Sequence, residues 1–493
     1  MKTFEQIYPR LLALLVLAAL AGCSVSSNTP TVIPATIQEN KTPNVIAGFQ
    51  GNQAAEGVQG ATINGGGGLA FPNQVSRNFG TVGGGEGNLA GERAVVGGGT
   101  YNTASGFRST VGGGSNNMAS SNYATVGGGT NNLASAYRAT VAGGADNTAS
   151  EMDATVGGGS GNVAGFRQAT VAGGTSNTAD NVESTVGGGS YNTASGAYAT
   201  AGGGTSNTAA GFSATASGGA GNLASGSYTA VSGGLSNTAG GKSATVPGGY
   251  ANHAMADYSF AAGSQANVDP AHTGAMLFAD ASRFPFMSLA PNEFAVRASG
   301  GVRFVTSLDQ AGEPLTGARL PAGSGSWETL SDRNAKAGFK PIDSLQVLER
   351  LASMPIDTWN YKGQPASVQH IGPVAQDFYA AFGLGEDNRY ISSVDADGVT
   401  MAAIQGLYQM TQEKQALIET LQADNSRQAA QIEALQTENK RQAAQLAGLD
   451  ARMTALENKM GGSGSSPNQS WLLLLGLGFG GGLFWSRRKT LEG

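Results

Sequence analysis

The chain has 493 residues, 77 of them Gly and only 13% charged, with a formal net charge of −6. Gly is therefore about twice its usual share and charge about half, which excludes an averaged globular composition, and the slight acidity offers no basic face for nucleic acid as a partner. The single Cys excludes an internal disulfide framework, so the fold must be held by packing or assembly.

Lys2 and Arg10 precede an apolar run from Leu11 to Leu20, the layout of an export signal over residues 1–22. The run ends Leu20-Ala21-Gly22-Cys23, which resembles a bacterial lipobox. That resemblance implies lipidation of Cys23, cleavage before it, and an exported protein anchored in the cell envelope. With Ser24 next, it implies the outer membrane or cell surface. Lipid chains multiplied over several subunits anchor firmly where a single chain binds only reversibly. Residues 23–60 mix Ser, Thr, Asn, Pro and Gln without a hydrophobic period and are expected to form a flexible tether.

From about residue 81 to 262 one phrase recurs, T-V-G-G-G-x-x-N-x-A-S-x-x-x-A. Its Asn falls at fifteen-residue steps from Asn102 through Asn117 and Asn132 to Asn252. A strict short period predicts identical coils stacked along an axis, here over residues 61–270. Each coil offers a Thr-Val strand, a Gly triplet, a second short stretch through Asn-x-Ala, and a turn. The recurrent Asn is expected either to form a ladder or to hold a left-handed turn position. Disordered Gly-rich tracts do not keep such phase, the Lys-Ser/Thr ending of a phosphate loop is missing, and no recurrent Asp marks a calcium roll. The repeats resemble the heads of trimeric autotransporter adhesins, although those usually carry S-V-A-I-G where this chain has T-V-G-G-G. The resemblance implies a left-handed parallel β-roll and a homotrimer.

After Ala262 the period breaks. Met276 to Phe286 and Phe294 to Val305 are richer in aromatic and β-branched residues, and residues 271–327 are expected to form a small β neck ending at the linker Gly323-Ser324-Gly325-Ser326.

Next comes Leu330-Ser331-Asp332-Arg333-Asn334-Ala335-Lys336, then an amphipathic helix over Leu345 to Met354 and a strand at Thr358-Trp359-Asn360-Tyr361. His370-Ile371-Gly372-Pro373-Val374-Ala375-Gln376-Asp377 and Val394-Asp395-Ala396-Asp397-Gly398-Val399 follow. In this order the segments resemble the self-cleaving intramolecular chaperone of phage endosialidases and tail spikes, a serine peptidase family, over residues 328–403. The resemblance implies a catalytic dyad of Ser331 and Lys336 and cleavage of the Leu330–Ser331 bond, once per chain. A Ser hydroxyl is a poor nucleophile until a nearby base takes its proton, and Lys serves only when neutral, which requires burial or neighbouring charge. Ala337 stands where the family is often acidic, and Gly372-Pro373 replaces Gly-Phe. Asp332 either orients the site or is a solvated turn residue. His370 has no Cys, second His or Asp at ligand spacing and is read as structural; neither metal nor cofactor is expected.

Residues 404–460 turn to heptads, with Ile404, Ile418, Ile432 and Leu446 at a and Leu407, Leu421, Leu435 and Leu449 at d. Asn425 and Asn439 interrupt the seam, as residues that fix register and oligomer number do. A parallel coiled coil of three chains is expected. Residues 461–470 form a linker, and 471–489, apolar between Trp471 and Trp485 and then basic, are expected to be a membrane or sorting segment.

The predicted class is mainly β: a parallel β-roll, a neck, an α+β chaperone and a coiled coil. The function expected is a surface-exposed, adhesin-like trimeric fibre, with a cell-surface or glycan receptor as a possible partner, whose C-terminal domain guides assembly and then cuts itself off. The alternative is a phage or prophage tail fibre with a receptor-binding role. A membrane-tethered messenger released by cleavage is a third class, and nothing in 24–330 looks like a DNA-binding or enzymatic module.

Overall fold

The computed structural model describes residues 41–460. The chain divides into two compact units between Leu330 and Ser331, and each is described by itself.

The first unit is a β-solenoid. Each turn contributes two strands of two residues, such as Thr125–Val126 and Leu133–Ala134. Successive turns pair in parallel and in register, Thr125 with Thr140 and Ala134 with Ala149. The first strands build one sheet of 18 strands and the second strands another of 16. Alternation along a strand explains the Thr-Val phrase: Thr faces out, and Val faces in to a closed core. Val126, Ala134 and Ala139 are fully buried, and the core between the two sheets is mainly Val and Ala, with Ile63 and Leu277 toward its two ends.

The Asn of each turn joins this core as a ladder. The Asn132 backbone N–H donates to Asn117 Oδ1 at 3.0 Å, and its Nδ2 donates to Gly128 O at 2.9 Å and Gly144 O at 2.8 Å. Asn132 Oδ1 in turn accepts from Asn147 N at 3.1 Å. A buried amide that satisfies carbonyls in two turns welds the stack. The left-handed position falls one residue earlier, on Tyr101, Asn116 and Asn131, each with φ of 55–57°. Of the two roles open to the ladder Asn, the structure assigns the first.

The third Gly of each triplet is required by space as well as by φ. At Gly129, φ is +96° and an added Cβ would lie 2.0 Å from Gly144 O and 2.7 Å from Asn132 Nδ2. Gly is the residue that tolerates both.

Three boundaries differ from the sequence expectation. The solenoid begins with Val45–Ile46 rather than after a tether ending at 60. Its first turns carry long bends: Val45 pairs with Thr62, Gln53 with Gln74 and Thr62 with Thr81. These steps exceed fifteen residues, so the period is invisible there. The solenoid also runs past 270, because Met276–Ala279 and Phe294–Arg297 extend the first sheet in parallel. Only Gly301–Leu308, Pro314–Pro321 and Glu328–Thr329 form a separate antiparallel sheet. Gly323 to Ser326 is the bend inside that sheet, not an interdomain linker, and Arg319 binds Glu328 across it at 2.8 Å.

The solenoid's last turn is tied by Arg297. Its Nε reaches Asp280 Oδ1 at 2.9 Å, Nη2 reaches Ser264 O at 3.2 Å, and Nη1 bonds Phe284 O. The guanidinium thereby satisfies bend carbonyls of the preceding turns and ties the last strand to them.

The second unit is α+β. Helix α1 spans Ser344–Ser353, a hairpin pairs Asp357–Trp359 with His370–Gly372, α2 spans Ala375–Phe382, and α3 runs from Ser393 to Met460. Asp343 caps α1 by accepting from Leu345 N and Gln346 N, and Gly383 ends α2 in the left-handed conformation. Met354, Phe378 and Val399 make the core. Gly406 lets α1 cross α3 closely, since a Cβ there would meet Ser344 O at 2.2 Å. The long helix thus starts at 393 rather than 404, its first turns being packed under α1 through Val399, Ala402 and Ala403. Beyond them α3 continues, and the expected a and d residues from Ile404 to Met460 are 46–77% exposed in the single chain.

Candidate functional site

The site is set by one tight turn. Asp332 accepts a hydrogen bond from Asn334 N at 2.8 Å and opens a 3₁₀ turn over Arg333–Ala335, and Lys336 N closes it on Arg333 O at 3.2 Å. A side chain just before such a turn and one just after it come to the same side. Lys336 Nζ accordingly lies 2.6 Å from Ser331 Oγ. Both residues are exposed.

Asp332 does its work on the backbone, with no side-chain bond to either Ser331 or Lys336. Arg333 lies over the Phe339 ring at 5.1 Å, which fixes the far side of the turn. On the other side of the Leu330–Ser331 bond, Leu330 N donates to Gly317 O at 2.9 Å and so belongs to the antiparallel sheet. The bond joins the last residue of the first unit to the first residue of the second.

His370 is a packing residue here. Its ring stacks near Trp359 at 4.9 Å and Tyr361 at 5.7 Å, and Nε2 is 2.9 Å from Gln364 Oε1. Gln364 is the partner that sequence reasoning missed, because nothing in a Lys-Gly-Gln-Pro loop announces it. Among the described residues there is no cluster of His, Cys, Asp and Glu that could hold a metal ion, and no helix long and apolar enough to cross a membrane. The signal over 1–22, Cys23, the linker over 461–470 and the segment 471–489 lie outside the described residues.

Residues 331–383 match the family described as chaperone of endosialidase. The match opens on Ser331 itself and covers the 3₁₀ turn, α1, the hairpin and α2. A chaperone of endosialidase domain therefore follows a long β-solenoid in this chain. No curated protein matches the chain.

Proposed function

We propose that this is a trimeric, surface-displayed fibre protein, lipid-anchored through Cys23, whose C-terminal unit guides assembly and then releases the solenoid by cutting Leu330–Ser331. The observation that carries the reading is the 2.6 Å contact between Lys336 Nζ and Ser331 Oγ, at the residue where the second unit begins.

The chemistry follows from that placement. Neutral Lys336 takes the Ser331 hydroxyl proton as Oγ adds to the Leu330 carbonyl carbon. The Leu330–Ser331 amide bond then breaks, its nitrogen leaving with the proton that Lys336 returns. The product is an ester of Leu330 on Ser331 Oγ and a free Ser331 amine. Water hydrolyses the ester to a Leu330 carboxylate and restores the hydroxyl. Nucleophile and carbonyl share one chain, so proximity replaces substrate binding and contributes effective molarities up to about 10⁵–10⁸ M. Lys336 is exposed in the single chain. Burial by neighbouring chains would favour the neutral base, making the cut conditional on assembly.

The uncovered a and d stripe of α3 supports assembly. A helix of 68 residues reaches about 100 Å, and an apolar seam of period 3.5 along it is satisfied by further copies of itself. The test is sedimentation mass of full-length Ser331→Ala, which cannot cut itself. Three chain masses are expected, and a monomer at micromolar concentration would refute assembly. Palmitate incorporation that disappears in Cys23→Ser is expected for the anchor; labelling that persists would refute it.

A further inference from the structure

The solenoid has one edge unlike the rest, the bend that joins each second strand to the first strand of the next turn. All six Lys and Arg residues between 61 and 262 lie on it, Arg77, Arg93, Arg108, Arg138, Arg167 and Lys242, and beyond Glu92 its acids, Glu151, Asp153, Asp180, Glu183 and Asp257, come in later turns. The first four gather at its N-terminal end, with Glu92 as the acid among them and Asp153 bound to Arg138 at 2.8 Å.

Aromatic rings interleave with these guanidinium groups. Arg93 lies 5.7 Å from both the Phe79 and the Phe107 ring, and Arg108 lies 5.2 Å from Phe107 and 5.9 Å from Tyr123. Phe107 meets Tyr123 edge-to-face at 5.8 Å, and Tyr123 meets Tyr137 at 5.7 Å. Successive turns are about 4.8 Å apart, so the stripe from Phe79 to Arg138 extends on the order of 20 Å along the axis.

Each turn holds one residue of this edge in the left-handed conformation: Arg93, Arg108, Tyr123 and Arg138 with φ of 53–60°, then Asp153 and Gln168 at 58°.

We infer that this edge is a binding platform for a linear anionic polysaccharide. Ring faces stack on sugar C–H surfaces, while guanidinium forks pair with carboxylate or sulfate groups at a matching pitch. A second copy of the chain is the poorer occupant of the N-terminal stretch: a threefold axis there would press Arg77, Arg93 and Arg108 of three chains together. The inference deepens the display function proposed above and rests on it for an extracellular polymer. Binding is nonetheless measurable whether or not Leu330–Ser331 is cut.

The experiment uses the full-length protein at physiological salt with heparin as sulfated probe, polygalacturonate as carboxylated probe, dextran as neutral control and an oligothymidylate strand. Arg93→Asn/Arg108→Asn removes two guanidinium groups while supplying a residue that accepts the left-handed conformation, so the fold is preserved. Binding of at least one anionic polysaccharide is expected, with dextran inert. The double variant should weaken it about tenfold, two cation contacts being lost, while Lys242→Asn leaves it unchanged. The inference is overturned if neither polysaccharide binds or if the double variant binds like the parent. Equal affinity for oligothymidylate would reassign the edge to nucleic acid, and a changed sedimentation mass in the double variant would make it an interchain contact.

Discussion

Removing one rung of the asparagine ladder gives a sharp test of how the solenoid is held. The Asn162 side chain donates to Gly158 O at 2.8 Å and Gly174 O at 2.9 Å, and accepts from Asn177 N at 3.0 Å. Asn162→Ala leaves Gly158 O and Asn177 N without those partners beside a fully buried column, while Gly174 O keeps its bond from Ser160 N at 2.9 Å. Each unsatisfied buried group costs about 1–3 kcal/mol, and a water entering the vacated space recovers part, leaving roughly 1–4 kcal/mol. Turns contact only their neighbours, so the loss is local. Hydrogen-exchange mass spectrometry on the full chain should show residues 158–177 exchanging roughly 10- to 10³-fold faster. Turns near Asn117 and Asn237 should keep their protection. Asn162→Asp provides a control with a sign: it keeps the bond to Asn177 N but sets a carboxylate oxygen against two carbonyl oxygens. Burial raises that carboxyl's pKa, so the damage grows as pH rises above about 4 and is relieved below it. Unchanged exchange at 158–177 in the Ala variant, or loosening spread evenly over the solenoid, would refute the ladder as the weld between turns.

Gly129→Ala should be as damaging as loss of a rung, because its Cβ meets Gly144 O at 2.0 Å with φ at +96°; a melting shift within error of zero would contradict the close approach. Leu435→Asp on the open stripe of α3 should lower the sedimentation mass while leaving far-ultraviolet helicity of the second unit largely intact, since Leu435 is exposed in the single chain. At the solenoid's end, the hydroxyl and amide of Ser299 and then Ser282 hold the Asp280 carboxyl well below the usual carboxylate range. The stabilisation is therefore fully present above about pH 4, the ordinary carboxyl value, and is lost only as pH falls toward the depressed one. Exchange protection around Arg297 should be flat from pH 7 to 5 after correction for intrinsic rates, and a drop in that window would contradict the assignment.

The repeat was legible because one physical unit, Thr out and Val in with a Gly close approach and an Asn rung, is written in the same fifteen letters each time. The same rule fails where bends lengthen. The turns from Val45 to Thr81 pair like the others, yet their loops are longer and the stretch up to residue 60 read as tether. Likewise Phe260, Met276 and Phe294 occupy the outward position that Thr holds elsewhere, so a continuing solenoid looked like a new module. For the site, the five-residue spacing of Ser331 and Lys336 was visible, but what brings the two side chains together was not. It is a 3₁₀ turn capped by Asp332, a contact made to backbone rather than to Ser331 or Lys336 side-chain atoms. The dense charge and ring pattern on one solenoid edge was hidden as well, since Arg93, Arg108 and Tyr123 become neighbours only when the turns are stacked.

The central claim is that Ser331 and Lys336 sever the chain in front of Ser331. Intact mass and N-terminal sequencing of the full-length protein, beside Ser331→Ala and Lys336→Met, address it directly. A fragment beginning Ser331-Asp332-Arg333 in the parent, absent from both variants while all three run as trimers, is the predicted result. Trimers of the parent that remain whole would contradict it, leaving the second unit as an assembly cap without peptidase chemistry.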